Sequence, residues 1–445
     1  MLLSIEVNSN YEIFGDYDDF FKILESITDY DGIEFLNNNE VICVTSFDNN
    51  LAKYESIFKA CEKGNENIVK YLIEREEDAI NKENRHGKTP LHFACIGGNI
   101  NIVKYLVEHG ANVDKENDFG ETPLFNACKN GNEDIVKYLV EHGANINKEN
   151  KEKDSPLLVS CKNGNENIIK YLIEQGANID KENDNDESPL FEICEKGNEN
   201  LLKYFIKHGA NINKENNKGK SLLHIACENG NENIVKYLIE HGLDINKISK
   251  YEDTPLSCAC GSENDNVNLV KYLIEHGASI KNEENKCDMT LLLIACRSGN
   301  ENIVKYLIDY GVNVNEEDID GETALIEACF YEHENIVKYL IEHGASINQK
   351  NKYKTTPLFK ACQRGNENLV KYLIEHGADV NIVNDAGDTP LHYACFSCKG
   401  NIIKYLVEHG ANVNVENDEH KTPLFNACES GNEDMVKYLI DNGGK

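Results

Sequence analysis

No apolar run reaches the ~18 residues that a membrane-crossing helix needs anywhere in these 445 residues. The opening residues, Met1-Leu2-Leu3-Ser4-Ile5-Glu6, lack the basic start and long apolar stretch of a secretory signal. A soluble cytoplasmic protein is the expectation, with the nucleus left open. Positive charge is scarce: 45 Lys and Arg stand against 77 Asp and Glu, a net charge of −32. A phosphate backbone would be repelled, so neither nucleic acid nor an anionic membrane is expected as a partner. The same charge favours solubility and would steer basic partners. No Gly-rich phosphate loop occurs, and no nucleophile–base grouping with catalytic spacing. Acidic pairs abound, but a surface this acidic produces pairs by chance. Neither a cofactor nor an enzymatic activity is expected.

What the chain has is repetition. A block ending in Ala-Cys, followed by Gly-Asn-Glu-Asn, Val-Lys-Tyr-Leu and His-Gly-Ala, returns twelve times from Cys61 to Cys428. Most steps are 33 residues; the first is 34 and Cys260 to Cys296 is 36. A fixed period of this length marks stacked units, each burying its apolar face only against its neighbours.

Residues 113–145 illustrate one unit. Thr122-Pro123 opens a helix with an N-cap and a pre-organised first position. Leu124, Phe125, Ala127 and Cys128 form its apolar stripe, and Gly131 ends it. Asn132 caps a second helix, whose Ile135, Val136, Leu139 and Val140 share one face. His142-Gly143 closes it. Each helix is about ten residues long, too short to be stable alone. Antiparallel helix pairs stacked in a row, with turns projecting from one edge, follow.

This pattern resembles the ankyrin repeat over roughly residues 55–445. The resemblance rests on Gly87-x-Thr89-Pro90-Leu91-His92-x-Ala94 with Gly98, then Ile102-Val103-x-x-Leu106 and Gly110-Ala111. It implies an all-α fold: an α-solenoid of about twelve helix–turn–helix repeats with β-hairpin fingers, an L-shaped cross-section and a concave protein-binding surface. At 8–10 Å per helix layer, such an array would be on the order of 100 Å long. The turn Gly is replaced at Lys153, Asp186, Glu252, Asp288, Lys354 and His420. The helix-opening Pro is missing at Ser221-Leu222, Thr290-Leu291 and Thr323-Ala324, so those repeats are expected to be softer.

Twelve of the 16 cysteines occupy one repeat column. Neighbours one helix layer apart, ~8–10 Å, exceed the ~7 Å Cα reach of a disulfide, so small buried hydrophobes are expected. Cys258-x-Cys260 and Cys395-x-x-Cys398 lack the second pair of a zinc site, and no metal is expected. Eight histidines, from His109 to His409, precede a Gly at the end of a second helix, one to a repeat, which suits helix C-caps and not a metal cluster. By resemblance, His92, His224 and His392 are turn-bonding structural residues. The Lys-Tyr column, Lys70-Tyr71 through Lys437-Tyr438, lies opposite the apolar face and should pack along the outer surface.

Residues 1–54 break the period. Asp16 to Thr28 reads as a helix carrying Phe20, Ile23, Leu24 and Ile27, and Glu40 to Val44 as a strand. A degenerate repeat or cap is expected there, with a separate binding module as the alternative. The last helix, Met435 to Ile440, has no polar capping face, so a frayed, self-associating or incomplete end is expected.

Within the chain, two first-helix positions vary most. One holds Phe93, Asn126, Ile294 and Tyr393. The other follows the column Cys and holds Lys129, Arg297, Phe330 and Phe396. Finger tips vary too, with Phe119, Tyr251 and Tyr353 prominent. Tyr251, Ile294, Phe330, Tyr353, Tyr393 and Phe396 are the candidate partner-binding residues, because aromatic groups in a solvated groove make good anchors. The three extra residues between Cys260 and Thr290 mark a bend or contact loop. The expected function is a monomeric scaffold or adaptor binding a protein or peptide through the groove and finger tips. A regulatory or host-interaction effector subunit would use the same groove. An enzyme would need its chemistry within residues 1–54.

Overall fold

Among the described residues, short helices in pairs account for nearly all regular structure, as the capping signals dictate. A computed structural model describes residues 33–37, 40–44, 51–280, 289–397 and 399–445, with side chains from 56 onward except 77. It contains 24 α-helices in those residues. The expected helix from Asp16 to Thr28 and the turn residue Asp288 lie outside the described residues. The strand Glu40–Val44 forms and pairs antiparallel with Ile33–Asn37.

The chain divides into two units, residues 1–184 and 185–445. The first holds four helix pairs, from Leu51–Lys63 and Glu66–Arg75 to Pro156–Asn163 and Glu166–Glu174. The second holds eight, from Pro189–Lys196 and Glu199–Lys207 to Pro423–Glu429 and Glu433–Asp441. Within each unit, first helices pack on the first helices of adjacent repeats, and second helices on second helices.

The core is a strip built from the same few positions. Leu124, Ala127 and Cys128 of a first helix and Ile135, Val136 and Leu139 of its partner are all at most 1% exposed. Burying one such Leu or Ile contributes about 1.5–3 kcal/mol. The column cysteines from Cys61 to Cys395 are free and buried, and Cys428 is free and exposed. Burial pushes the thiols of Cys128 and Cys260 up to about 12.

First helices start where Thr or Ser leaves extended backbone. At Thr89 and Ser221 the cap is reciprocal: His92 Nδ1 accepts from Thr89 N at 3.0 Å, and His224 Nδ1 from Ser221 N at 3.2 Å. Each ring then reaches the following finger, His92 Nε2 to Glu121 O at 3.1 Å and His224 Nε2 to Asp253 O at 3.1 Å. With Nδ1 accepting a backbone N–H, the proton sits on Nε2, a neutral tautomer. Thr122 holds the N-cap place, yet its Oγ1 has no hydrogen-bond partner. The helices without an opening Pro, Leu222–Glu228, Leu291–Ser298 and Ala324–Phe330, still form. Thr290 Oγ1 accepts from Leu293 N at 3.3 Å and Thr323 Oγ1 from Ile326 N at 3.4 Å.

The fingers are tight turns closed by one side chain. Asn117 Oδ1 accepts from Phe119 N at 2.8 Å and Glu121 N at 3.0 Å, an Asx turn. Asn150, Asn216, Asn351, Asn384 and Asn417 repeat this geometry. β-Pairing within the described fingers amounts to single antiparallel bridges, Glu215 with Ser221 and Glu317 with Thr323. Successive tips are tied by backbone bonds such as Lys151 N to Phe119 O, 2.9 Å, and Lys250 N to Lys218 O, 3.0 Å. The turn requires positive φ. Gly120 supplies it at 74°, whereas Lys153, Asp186, Glu252, Lys354 and His420 are held at 56–66° despite their Cβ.

Asparagine also joins repeats. Asn132 does not cap its own helix through its side chain; its Nδ2 donates to Cys95 O of the preceding repeat at 3.2 Å. Asn165 does both: its Oδ1 accepts from Ile168 N and its Nδ2 donates to Gly131 O. The long step after Cys260 carries a related device. Asp265 takes a φ of 44°, and its carboxylate accepts from Asn302 N and Ile303 N, both at 3.1 Å, capping the second helix of the following repeat. Anionic caps suit helix N-termini.

Candidate functional site

Two repeated side-chain arrays cover the second helices and are structural. His142 Nδ1 bonds to Tyr138 O at 2.7 Å while the rings stack at 3.9 Å, and His276 with Tyr272 and His376 with Tyr372 do the same. These histidines cap helix C-termini. Among the described residues no three His, Cys, Asp or Glu side chains group to hold a metal. The Lys-Tyr column packs along the stack as expected: Lys236 Nζ lies 5.2 Å from the Tyr272 ring centre and Lys271 Nζ 5.2 Å from that of Tyr306.

The first helices and fingers carry the variable positions, at three levels. Finger tips precede the helix, the first variable position lies midway along it, and the position after the column Cys lies near its far end. At the tips, Tyr251 is 69% exposed and Tyr353 54%, with Lys352 Nζ 5.0 Å from the Tyr353 ring centre. Midway, Ile294 and Tyr393 are half-buried. Tyr393 meets Phe359 edge-on at 5.5 Å, and its hydroxyl accepts from Asn384 Nδ2 at 3.3 Å. Burial raises its phenol above the usual range. At the far end, Phe396 is 79% exposed, whereas Phe330 is half-buried. Phe330 sits under Arg364, whose guanidinium carbon is 4.4 Å from the ring centre, and Lys360 Nζ is 5.2 Å away.

Phe330, Tyr353 and Tyr393 each make their ring contacts with residues outside the set. Phe330 and Tyr393 hold neighbouring repeats together as well as facing outward.

Sequence reasoning placed Arg297 in a variable column without making it a candidate, and passed over Tyr331, Arg364 and Ile319. Arg297 Nε donates to Tyr331 Oη at 2.8 Å, with the guanidinium 5.5 Å from that ring's centre. Tyr331 meets Phe330 edge-on at 5.1 Å. Ile319, on a finger, is 68% exposed. A signal existed: the chain holds only four arginines, Arg75, Arg85, Arg297 and Arg364. Glu327 lies on the same face. Burial, helped by Glu322, holds its carboxyl above the usual range, with Arg297 and Lys360 opposing.

Stacked helix pairs with turn-closed fingers and no metal-binding cluster among the described residues define a helical repeat protein. The family model for ankyrin repeats in three copies matches residues 33–117, 110–183, 190–284, 256–351 and 346–417, and a many-copy ankyrin model matches 401–440. The chain belongs to the ankyrin repeat family, whose members are generally protein–protein interaction modules. Among solved structures, it is similar to the human ASB11 ankyrin repeat domain, with 29% identity and a TM-score of 0.47. That similarity covers 51% of this chain and 99% of that one. No curated protein matches the chain. No described helix is long and apolar enough to cross a membrane.

Proposed function

We propose that this chain is a non-enzymatic, cytoplasmic scaffold or adaptor, and that it docks a partner protein on the first-helix face and finger tips of residues 185–445. One observation carries the reading: Tyr251, Ile319, Tyr353 and Phe396 are large apolar side chains more than half exposed on those elements. Exposed aromatic groups on a rigid scaffold gain much area on docking at little entropic cost, and they dominate interface energies. Residues 1–54 close the N-terminal end of the stack in this reading, and the chain acts as a monomer. Affinity capture from native cells with wild type and with Tyr251→Ala/Tyr353→Ala/Phe396→Ala tests it. The triple variant should lose partners that wild type retains while its melting temperature stays within a few degrees. Equal capture by both chains would remove the surface from consideration.

A further inference from the structure

The arginines on this face suggest what the partner presents. Arg297 stacks on Tyr331, Tyr331 abuts Phe330, and Arg364 stacks on Phe330, so two guanidiniums flank two rings. Each is oriented through Nε: Arg297 Nε donates to Tyr331 Oη at 2.8 Å, and Arg364 Nε to Phe330 O at 2.7 Å. Arg297 Nη1 rests 3.4 Å from the Met289 thioether. The carboxylate nearest Arg364, that of Glu332, stands 4.0 Å from Nε, and among the described residues none hydrogen-bonds either guanidinium. Glu327 lies within electrostatic reach of Arg297 without hydrogen-bonding it. The lysines beside them differ: Lys360 reaches Glu322, and Lys352 pairs with Asp320. Stacked guanidiniums whose Nη atoms carry no carboxylate, Arg297 Nη1 meeting only a thioether, are pre-ordered donors for carboxylates.

We propose that Arg297 and Arg364, held by Tyr331 and Phe330, clamp acidic side chains of a partner segment, one carboxylate to each guanidinium, and that an adjoining apolar side chain packs on the half-buried rings. This rests on the docking reading above and names the partner's chemistry. The net charge of −32 penalises a dianionic phosphate more than a single carboxylate. It also favours a segment that is neutral or basic elsewhere. Local charge complementarity then fixes register while the overall field favours the approach of such a segment.

The test pans a random peptide library displayed on phage against the full chain, and in parallel against Arg297→Gln/Arg364→Gln and Arg297→Lys/Arg364→Lys. Wild type should enrich peptides with Asp or Glu beside an aromatic or aliphatic residue. The synthetic form of the leading sequence should bind at least ten-fold tighter than its Asn or Gln counterpart. The Gln variant should bind both forms alike, and the Lys variant should keep only a few-fold preference; if the Gln variant fails to fold, the Lys variant decides. Enrichment without acidic residues leaves the docking reading standing and overturns the clamp. Acid preference retained in full by either variant also overturns it, as does tighter binding of a phosphoserine form. No enrichment above bare matrix removes both.

Discussion

Lys129 and Lys162, in the N-terminal unit, close ion pairs with Glu121 and Asp154. The corresponding places in the C-terminal unit include Arg297, Phe330 and Phe396. The middle position differs in the same sense. Asn126 and Val159 are 5% and 4% exposed, whereas Ile294 and Tyr393 reach solvent, although Phe93 of the first unit does so too and Cys258 of the second is buried. Among the described residues, Phe119 is the exposed large apolar side chain of the first unit, and nine others belong to the second. One repeat plan thus gives a first unit with one large apolar side chain well exposed among its described residues and a second unit that exposes many, with two arginines beside them. The core positions are the same in both, so the difference lives on side chains that the stack does not need.

The deepest test asks whether the cores are truly equivalent. Leu139→Ala in the first unit and Leu340→Ala in the second, both 0% exposed, should each cost about 2–5 kcal/mol in urea unfolding. A much smaller loss at Leu340 would mean that the C-terminal unit is looser inside as well as outside.

Acid comes next. Burial lowers His92 to about 4 from the ordinary 6.5 and lowers His224 and His392 in the same direction. The unfolded chain therefore takes up these protons first. The stability each neutral ring contributes is complete above pH 6.5 and is lost as pH falls; for His92 the loss is about 3 kcal/mol by pH 4. Urea titrations across pH 4–7 should show that loss, and His92→Gln should flatten part of it.

Surface changes should separate the units in binding. Phe119→Ala should leave partner capture unchanged, whereas Tyr353→Ala with Phe396→Ala should weaken it about ten-fold or more. Losses at Phe119 alone would move the docking surface into the first unit. The smallest effects are expected at the turns. Lys153→Gly and Lys354→Gly remove a left-handed strain worth roughly 1 kcal/mol. The ion pairs they forfeit, with Asp184 and Asp385, are exposed and contribute little. Both should raise the melting temperature slightly, by similar amounts.

Much of the fold was legible because it is periodic. Ala127, Cys128 and Leu139 announce a shared strip by recurring at one interval, and the same argument placed the cysteines and the Lys-Tyr column. The turns were legible in part. Asp186 and Lys354 were visible as replacements for Gly, and both keep its positive φ. What stayed hidden depends on contacts between repeats. Asn132 reads as an ordinary cap, yet its amide serves the previous repeat. Asp265 reads as loop, yet it caps a helix 37 residues on. Tyr331 and Arg364 were missed, and Arg297 stayed one variable residue among many, for the same reason: comparing columns ranks variability, but only spacing in three dimensions brings a guanidinium over a ring in the adjacent layer.

The column of covered sulfur atoms has a practical consequence. Each repeat from Cys61 to Cys395 hides one such atom that an alkylating reagent reaches only when that layer opens, while Cys428 stands accessible from the start. Mass-resolved labelling over time would then read the order in which layers breathe, one column tag per storey with a second at Cys258 in the Cys260 layer, with no probe engineered into the chain.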